Sequence, residues 1–392
     1  QLGHGDRQNQ LLPKKVEAFA GQRIVAVSAG EHHSLALTAD GAVWSWGGGG
    51  VGQLGHGDEQ IQLLPKKIEA FTGQRVVAVS AGPSDRLATS AAGGGRGSGN
   101  GGWGQGVLGA LGHGDDQDQW QPTKVEALAE QRIIAVSAGR EHSLALTADG
   151  EVWSWGWGRS GRLGHGDEEE QPLPKKVEAL AERSVVAVWA GAYHSLAITA
   201  DGAVLSWGGG GFGQLGHGDE QNQLLPKKVE ALAAQRVVAA PAGACHSIAR
   251  TAGGGVWSWG RGVCLGHGNQ QSQLLPKKVE ALADQRVVAV AAADCHSLAL
   301  AADGAVWSWG SGHDGKLGHG DEQRQLLPKK IEAFTGRRIV AVSAGNYRSL
   351  AITADGSVWS WGFGGQGRLG HGDEQNQLLP KKVEAMAGRH VV

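Results

Sequence analysis

The sequence predicts an all-β fold, a seven-bladed β-propeller of four-stranded antiparallel blades, on three observations. A Leu-Gly-His-Gly element recurs with its Leu at Leu2, Leu54, Leu111, Leu163, Leu215, Leu265, Leu317 and Leu369, at spacings of 52, 57, 52, 52, 50, 52 and 52 residues. A repeat of about fifty residues marks a solenoid, propeller or array. Between these elements run short stretches of period-two alternation bounded by Gly, Pro and Asp, the signature of strands. In most units one such stretch carries two Trp at alternate positions, which puts both indoles on one face of a sheet.

In the first complete unit the strands are expected at Arg23 to Ser28, Ser34 to Thr38, Ala42 to Gly47 and Lys66 to Ala70. The second and third are joined by Asp40-Gly41, and Asp-Gly between alternating runs is a strong short-hairpin signal. It returns at Asp149-Gly150, Asp201-Gly202, Asp303-Gly304 and Asp355-Gly356. Along Val43-Trp44-Ser45-Trp46 one face is bulky and the other hollow, so blades are expected to stack with the indoles nested into the small-residue face of a neighbour. Each buried aromatic would remove roughly 150 to 250 Å² from water. The pairs Trp44/Trp46, Trp153/Trp155, Trp257/Trp259, Trp307/Trp309 and Trp359/Trp361, with Trp207 beside Leu205, are therefore read as core.

Counting Trp-bearing third strands, with the eroded one near Trp103, gives seven. Seven sheets around an axis leave only short, protected edges. The segment that ends in Pro-Lys-Lys occurs, with its variants, at Pro13, Pro65, Pro122, Pro174, Pro226, Pro276, Pro328 and Pro380, one copy more than seven blades need. Either the amino-terminal copy, Lys14 to Phe19, closes the last blade, or the carboxy-terminal copy, Lys381 to Met386, does so locally. Pro and Lys on this outer strand suit an edge that must not pair with other chains. The unit at 82–110 departs from the rest, reading Pro83-Ser84-Asp85-Arg86 and then a Gly-rich run to Gly102. Gly within strands costs entropy and adds no packing, so this blade should be the weakest. A reading-frame slip and an evolved flexible loop both account for it.

The 392 residues are read as one propeller domain, residues 1–392, of seven repeats plus a partial eighth at 369–392. Because the sequence starts at Gln1 and stops at Val392, both inside repeats, it is expected to be a piece of a longer chain. Lys+Arg of 36 against Asp+Glu of 38 gives a net charge of -2, with no basic excess for phosphates, so direct nucleic-acid binding is not expected. No apolar run is long enough to span a bilayer, and no membrane partner is expected. The cysteines, Cys245, Cys264 and Cys295, make neither a paired framework nor a Cys-x-x-Cys spacing. They point to a reducing, intracellular setting, cytoplasmic or nuclear.

At Gly30-Glu31-His32-His33-Ser34-Leu35-Ala36-Leu37-Thr38, at Gly41-Ala42-Val43-Trp44-Ser45-Trp46-Gly47 and at Gly52-Gln53-Leu54-Gly55-His56-Gly57, the chain resembles the regulator of chromosome condensation family. The resemblance covers essentially the whole chain. It implies a seven-bladed propeller with the Arg23 to Ser28 type of strand nearest the axis. The family's founding member is a nucleotide exchange factor for the Ran GTPase that works through a β-wedge inserted in one blade. Here the only longer unit is the Gly-rich one, and no such wedge is visible. The plant UV-B photoreceptor of the family carries its light-absorbing Trp in Gly-Trp-Arg-His-Thr motifs. The matching positions here read Gly30-Glu31-His32-His33-Ser34, Gly139-Arg140-Glu141-His142-Ser143, Gly191-Ala192-Tyr193-His194-Ser195 and Gly243-Ala244-Cys245-His246-Ser247, without that Trp. Other relatives, parts of large ubiquitin ligases and bacterial β-lactamase inhibitors, act by binding protein.

Eight of the sixteen histidines, from His4 to His371, sit one per Leu-Gly-His-Gly loop. Residues related by rotation around a ring stay apart and cannot converge on one metal ion, so they are read as loop braces. His33, His142, His194, His246 and His296 recur before the second strand, where a ring nitrogen would satisfy groups at a chain reversal or line a channel. No Gly-x-Ser-x-Gly, Walker or His-Glu-x-x-His motif is present, so no catalytic residue, cofactor or metal is expected.

Repeated positions serve the scaffold, and recognition is sought where units differ. With strands alternating up and down, the loops joining first to second and third to fourth strands open on the same face. Exposed aromatics and Arg dominate protein interfaces. The expected partner-binding residues are Arg140, Trp157, Arg159, Tyr193, Phe212, Arg261, Tyr347, Arg348 and Phe363. The expected function is a non-catalytic propeller that binds a protein, such as a small GTPase or a ubiquitin-pathway substrate. The alternatives are guanine-nucleotide exchange on a Ran-like GTPase and, after it, UV-B sensing.

Overall fold

The computed structural model describes residues 24–29, 33–38, 40, 42–47, 62–69, 76–81, 85–90, 100–104, 111–115 and 119–383, except 346, 366–368, 370 and 372. Within them seven four-stranded antiparallel sheets follow one another, each with its strands in chain order. They cover residues 24–67, 76–124, 133–176, 185–228, 237–278, 287–330 and 339–382, and are blades one to seven. The first strand of a blade touches the first strand of the next in most neighbouring pairs, which makes it the inner strand.

Blade three shows the plan with strands Ile133–Ala138, His142–Thr147, Val152–Gly156 and Gln171–Lys176. Its hairpin is closed by the Gly150 amide donating to the Thr147 carbonyl at 3.1 Å, while the Thr147 hydroxyl donates to the Asp149 carboxylate. Gly150 takes φ of +88°, which explains Asp-Gly at this turn.

The outer strand lies earlier than the sequence suggests. In blade one it is Gln62–Lys67 and not Lys66 to Ala70. In blade three the following Glu178–Leu180 folds into a 3-10 turn, and Leu180 is buried. The apolar residues of Val-Glu-Ala-Leu are thus spent on inter-blade packing, not on pairing. Pro174, which lacks an amide hydrogen, is tolerated because this strand is an edge. The carboxy-terminal copy, Gln377–Lys382, pairs with Val358–Gly362 of its own blade. Residues 14–19, the competing copy, lie outside the described residues. Blade two keeps its four strands despite its Gly content, with Arg86 paired to Trp103 and Ala88 to Gly101. Residues 91–99 lie outside the described residues.

The core sits between blades. Trp207 of blade four packs with Leu144, Leu146, Val152, Val177 and Leu180 of blade three. Trp259, Trp309 and Trp361 make the same insertion into the preceding blade, and Trp155 meets Val125 and Leu128. At about 25 cal/mol per Å², each indole contributes on the order of 4 kcal/mol as an upper bound. The two Trp of a pair are not equivalent, contrary to expectation. Trp155, Trp259, Trp309 and Trp361 are fully buried, whereas Trp153, Trp257, Trp307 and Trp359 are half-buried.

Nor is the receiving face hollow. The Ser154 hydroxyl donates to the Leu163 carbonyl at 2.6 Å and lies 3.0 Å from His165 Nε2. Ser206 with His217, Ser258 with His267, Ser308 with His319 and Ser360 with His371 repeat the contact. These histidines brace the loop, as the sequence suggests. The Gly before His165 is compulsory: Gly164 has φ of +81°, and a Cβ there would stand 2.9 Å from Trp207 Nε1.

Candidate functional site: the variable-loop face

The second strand begins at a histidine that joins neighbouring blades. His142 Nε2 lies 2.9 Å from Ser195 Oγ of the next blade, and His194 with Ser247, His246 with Ser297 and His296 with Ser349 repeat the link. Ser195 spends its only proton on the Arg162 carbonyl at 2.9 Å, so His142 must donate from Nε2. Nδ1 of all four rings is then a bare acceptor, buried and without a partner. Burial holds these imidazoles neutral, with pKa values down to about 3 for His142, His194 and His296 and about 4 for His246. They are inter-blade links and do not line a channel.

The residues just before these histidines form the face. In blade three the register pairs His142 with Gly156, which sets the loop at 139–141 beside the loop that starts at Trp157. The Trp157 amide donates to the Glu141 carbonyl at 2.9 Å. Gly209 to Tyr193, Arg261 to Cys245, Ser311 to Cys295 and Phe363 to Tyr347 repeat this stitch, so both variable loops open at one end of every such blade.

Across blades three and four the face carries a cationic and aromatic cluster. Arg140 donates to the Tyr193 hydroxyl at 2.9 Å, and its guanidinium carbon lies 6.0 Å from the ring centre. The Arg159 guanidinium lies 5.6 Å from the Trp157 ring, and the Arg162 guanidinium lies 4.6 Å from Trp157 and 5.6 Å from Tyr193. Such contacts contribute about 0.5–2 kcal/mol each, more when shielded from water. Glu141 stands 3.7 Å from Arg162 as its acidic partner. Burial lowers the Arg162 pKa, and Glu141 opposes that shift. Next to this cluster the Arg261 guanidinium lies 5.6 Å from the Phe212 ring. In blade seven Tyr347 and Phe363 meet edge-on at 6.3 Å.

The profile of the RCC1-like domain matches residues 1–346, and profiles of the regulator of chromosome condensation (RCC1) repeat match residues 339–368 and 355–392. The chain belongs to the RCC1 family. It is 35% identical over its full length to the ultraviolet-B receptor UVR8 of Arabidopsis thaliana, covering 78% of that protein. It is also 35% identical to the human E3 ubiquitin-protein ligase HERC2, of which it spans only 7%. Human WBSCR16 superposes with a TM-score of 0.69 at 25% identity, covering 83% of this chain and 85% of that one. Prp20p of Saccharomyces cerevisiae, at a TM-score of 0.59 and 23% identity over 92% of this chain and 76% of that one, shares the fold.

On this RCC1 framework the residues singled out from sequence fall into three groups: Arg140, Trp157, Arg159 and Tyr193; Phe212 and Arg261; and Tyr347 with Phe363. Arg348 departs from the expectation. It opens a strand, paired with Gly362, at the position held elsewhere by the linking histidine, and it is half-buried. Arg162 is the residue the sequence reading passed over. It is 1% exposed, donates to the Arg159 carbonyl at 2.9 Å and the Ala192 carbonyl at 3.3 Å, and lies against both aromatic rings. Its signal is present in the sequence: the residue before Leu-Gly-His-Gly varies, with Gln53, Arg162, Gln214, Cys264, Lys316 and Arg368. A cavity of about 540 Å³ at the hairpin end of blade seven lies among Arg337, Asp355, Trp359 and Lys382. Asp355, Trp359 and Lys382 occupy repeated positions, so the unit-to-unit variation is on the loop face. Among the described residues no group of His, Cys, Asp and Glu is placed to hold a metal ion.

Proposed function

We propose that this RCC1-family chain is a non-catalytic docking module that binds a protein partner through its variable-loop face, with the cluster on blades three and four at the centre. The observation that carries this reading is the Arg162 guanidinium packed against both Trp157 and Tyr193, with Arg140 and Arg159 beside them. Arg, Trp and Tyr dominate the energetics of protein interfaces, and here they are held in place before a partner arrives. The exposed Arg140 and Arg159 select an acidic surface, because Glu141 is taken up by the buried Arg162. The HERC2 relative, of which the chain matches a small part, supports a role as the recognition segment of a larger protein.

The working compartment is proposed to be inside the cell. No helix among the described residues is long and apolar enough to cross a membrane. The similar protein RUG3 of Arabidopsis thaliana is described as mitochondrial, so that compartment joins cytoplasm and nucleus as a candidate.

The test compares proteins retained from cell extract by the wild type, by an Arg140→Ala, Arg159→Ala, Tyr193→Ala variant, and by a Glu182→Ala, Arg183→Ala control at the opposite end of blade four. A specific partner lost only with the first variant supports the reading. Equal retention by all three refutes it.

A further inference from the structure

The chain's cysteines, Cys245, Cys264 and Cys295, lie up to 50 residues apart and meet at one seam between blades five and six. The backbone brings them there. The Cys264 carbonyl accepts hydrogen bonds from two residues of blade six, Trp309 Nε1 at 2.9 Å and Ser297 Oγ at 3.3 Å. Ser297 stands two residues after Cys295 in the chain. At the seam between blades three and four the corresponding residues, Arg162 and Tyr193, also touch side chain to side chain, at 5.6 Å from guanidinium to ring. The repeat geometry therefore sets side chain 264 of one blade against side chain 295 of the next.

The two thiols are not alike. Cys264 is buried, whereas Cys295 beside it across the seam is only half-buried. The neighbouring Cys264 thiol, with the Lys316 and Arg261 cations, holds the Cys295 thiol below its ordinary value, against burial and the Asp294 carboxylate. The same contact and burial push the Cys264 thiol up. Burial also raises Cys245. The seam thus holds one accessible, more readily ionised thiol, with a second, buried thiol beside it.

We propose that Cys295 and Cys264 form a peroxide-responsive thiol–disulfide pair that bolts blade five to blade six at the variable-loop face. The Cys295 thiolate attacks one peroxide oxygen; the O–O bond breaks, Cys295 becomes a sulfenic acid, and the departing hydroxide takes up a proton to leave as water. Cys264 then gives up its proton and its sulfur attacks the Cys295 sulfur. The S–S bond forms, the S–O bond breaks and a second water leaves. Two electrons pass from the two sulfurs to the peroxide, and an external dithiol reverses the reaction.

The test uses the reduced full chain, treated with one equivalent of hydrogen peroxide at neutral pH and read by intact mass and peptide mapping. The expected product has lost two hydrogens and yields a peptide cross-linked between Cys264 and Cys295, in wild type and in Cys245→Ser alike. Cys264→Ser is expected to stop at the sulfenic acid on Cys295, trapped as a dimedone adduct. Iodoacetamide should label Cys295 faster at pH 8 than at pH 6, and ahead of Cys245 at pH 7. A dominant cross-link that includes Cys245, no cross-link, or labelling of Cys245 ahead of Cys295 would overturn the proposal.

Discussion

His194 of blade four donates its Nε2 proton to Ser247 of blade five at 2.9 Å, and Ser247 in turn donates to the Gln214 carbonyl of blade four at 2.9 Å. The hydroxyl is therefore a relay between two points of one blade, fixed to the next blade's second strand. Replacing Ser247 by Ala leaves the His194 donor and the Gln214 carbonyl buried without a partner. The expected loss is about 1–3 kcal/mol, measured as the shift in urea unfolding midpoint. A midpoint equal to wild type would show that the relay does not hold the blades together.

Acid should weaken the whole chain. In the unfolded state the histidines titrate near 6.5, whereas His142, His194 and His296 resist protonation until about 3 and His246 until about 4. Between those limits the unfolded chain binds more protons than the folded one, so stability rises with pH up to about 6.5 and is lost as pH falls below it. Each ring contributes a slope of about 1.4 kcal/mol per pH unit. Urea midpoints at pH 7.5 and pH 5 should differ strongly, and His194→Asn should flatten the dependence. Identical midpoints at the two pH values would contradict the buried neutral state.

Two glycines should respond in opposite ways. Gly164→Ala forces a Cβ onto Trp207 Nε1 at 2.9 Å and onto a φ of +81°, at an expected cost of about 2–4 kcal/mol. Gly253 has nothing within 4 Å and takes the place of the turn Asp found in other blades, where Thr199 bonds Asp201 and Thr353 bonds Asp355. Gly253→Asp should give Thr251 the same partner and raise stability by about 0.5–1 kcal/mol, read by thermal unfolding.

Arg162→Lys should behave much like Arg162→Ala. A lysine cannot keep both carbonyl bonds, to Arg159 and Ala192, while lying flat on Trp157. Both variants are expected to lower the thermal midpoint by an amount matching about 1–3 kcal/mol. Full retention of stability by the lysine variant would mean that charge alone matters at this position.

The repeat spacing and the alternation of Val152-Trp153-Ser154-Trp155 were enough to place the blades and to say which face carries aromatics. The unequal burial of Trp153 and Trp155 was hidden, because it depends on depth along the blade and not on which face a residue occupies. The outer strand was misplaced by the apolar look of Val177 and Leu180, which are buried between blades without belonging to a strand. Loop variation located most of the side chains that cluster on the variable-loop face. It passed over Arg162, whose long side chain reaches from a repeated element to the next blade, and it set Arg348 on a loop, whereas that residue opens a strand at the position of the linking histidines.

The bond from the Trp157 amide to the Glu141 carbonyl, and its counterparts in blades four to seven, involve main-chain atoms alone. Side chains on the two loops can therefore be exchanged without loosening the loops that display them. A chain built in this way can acquire a new partner one blade at a time, by substitutions that leave its architecture untouched.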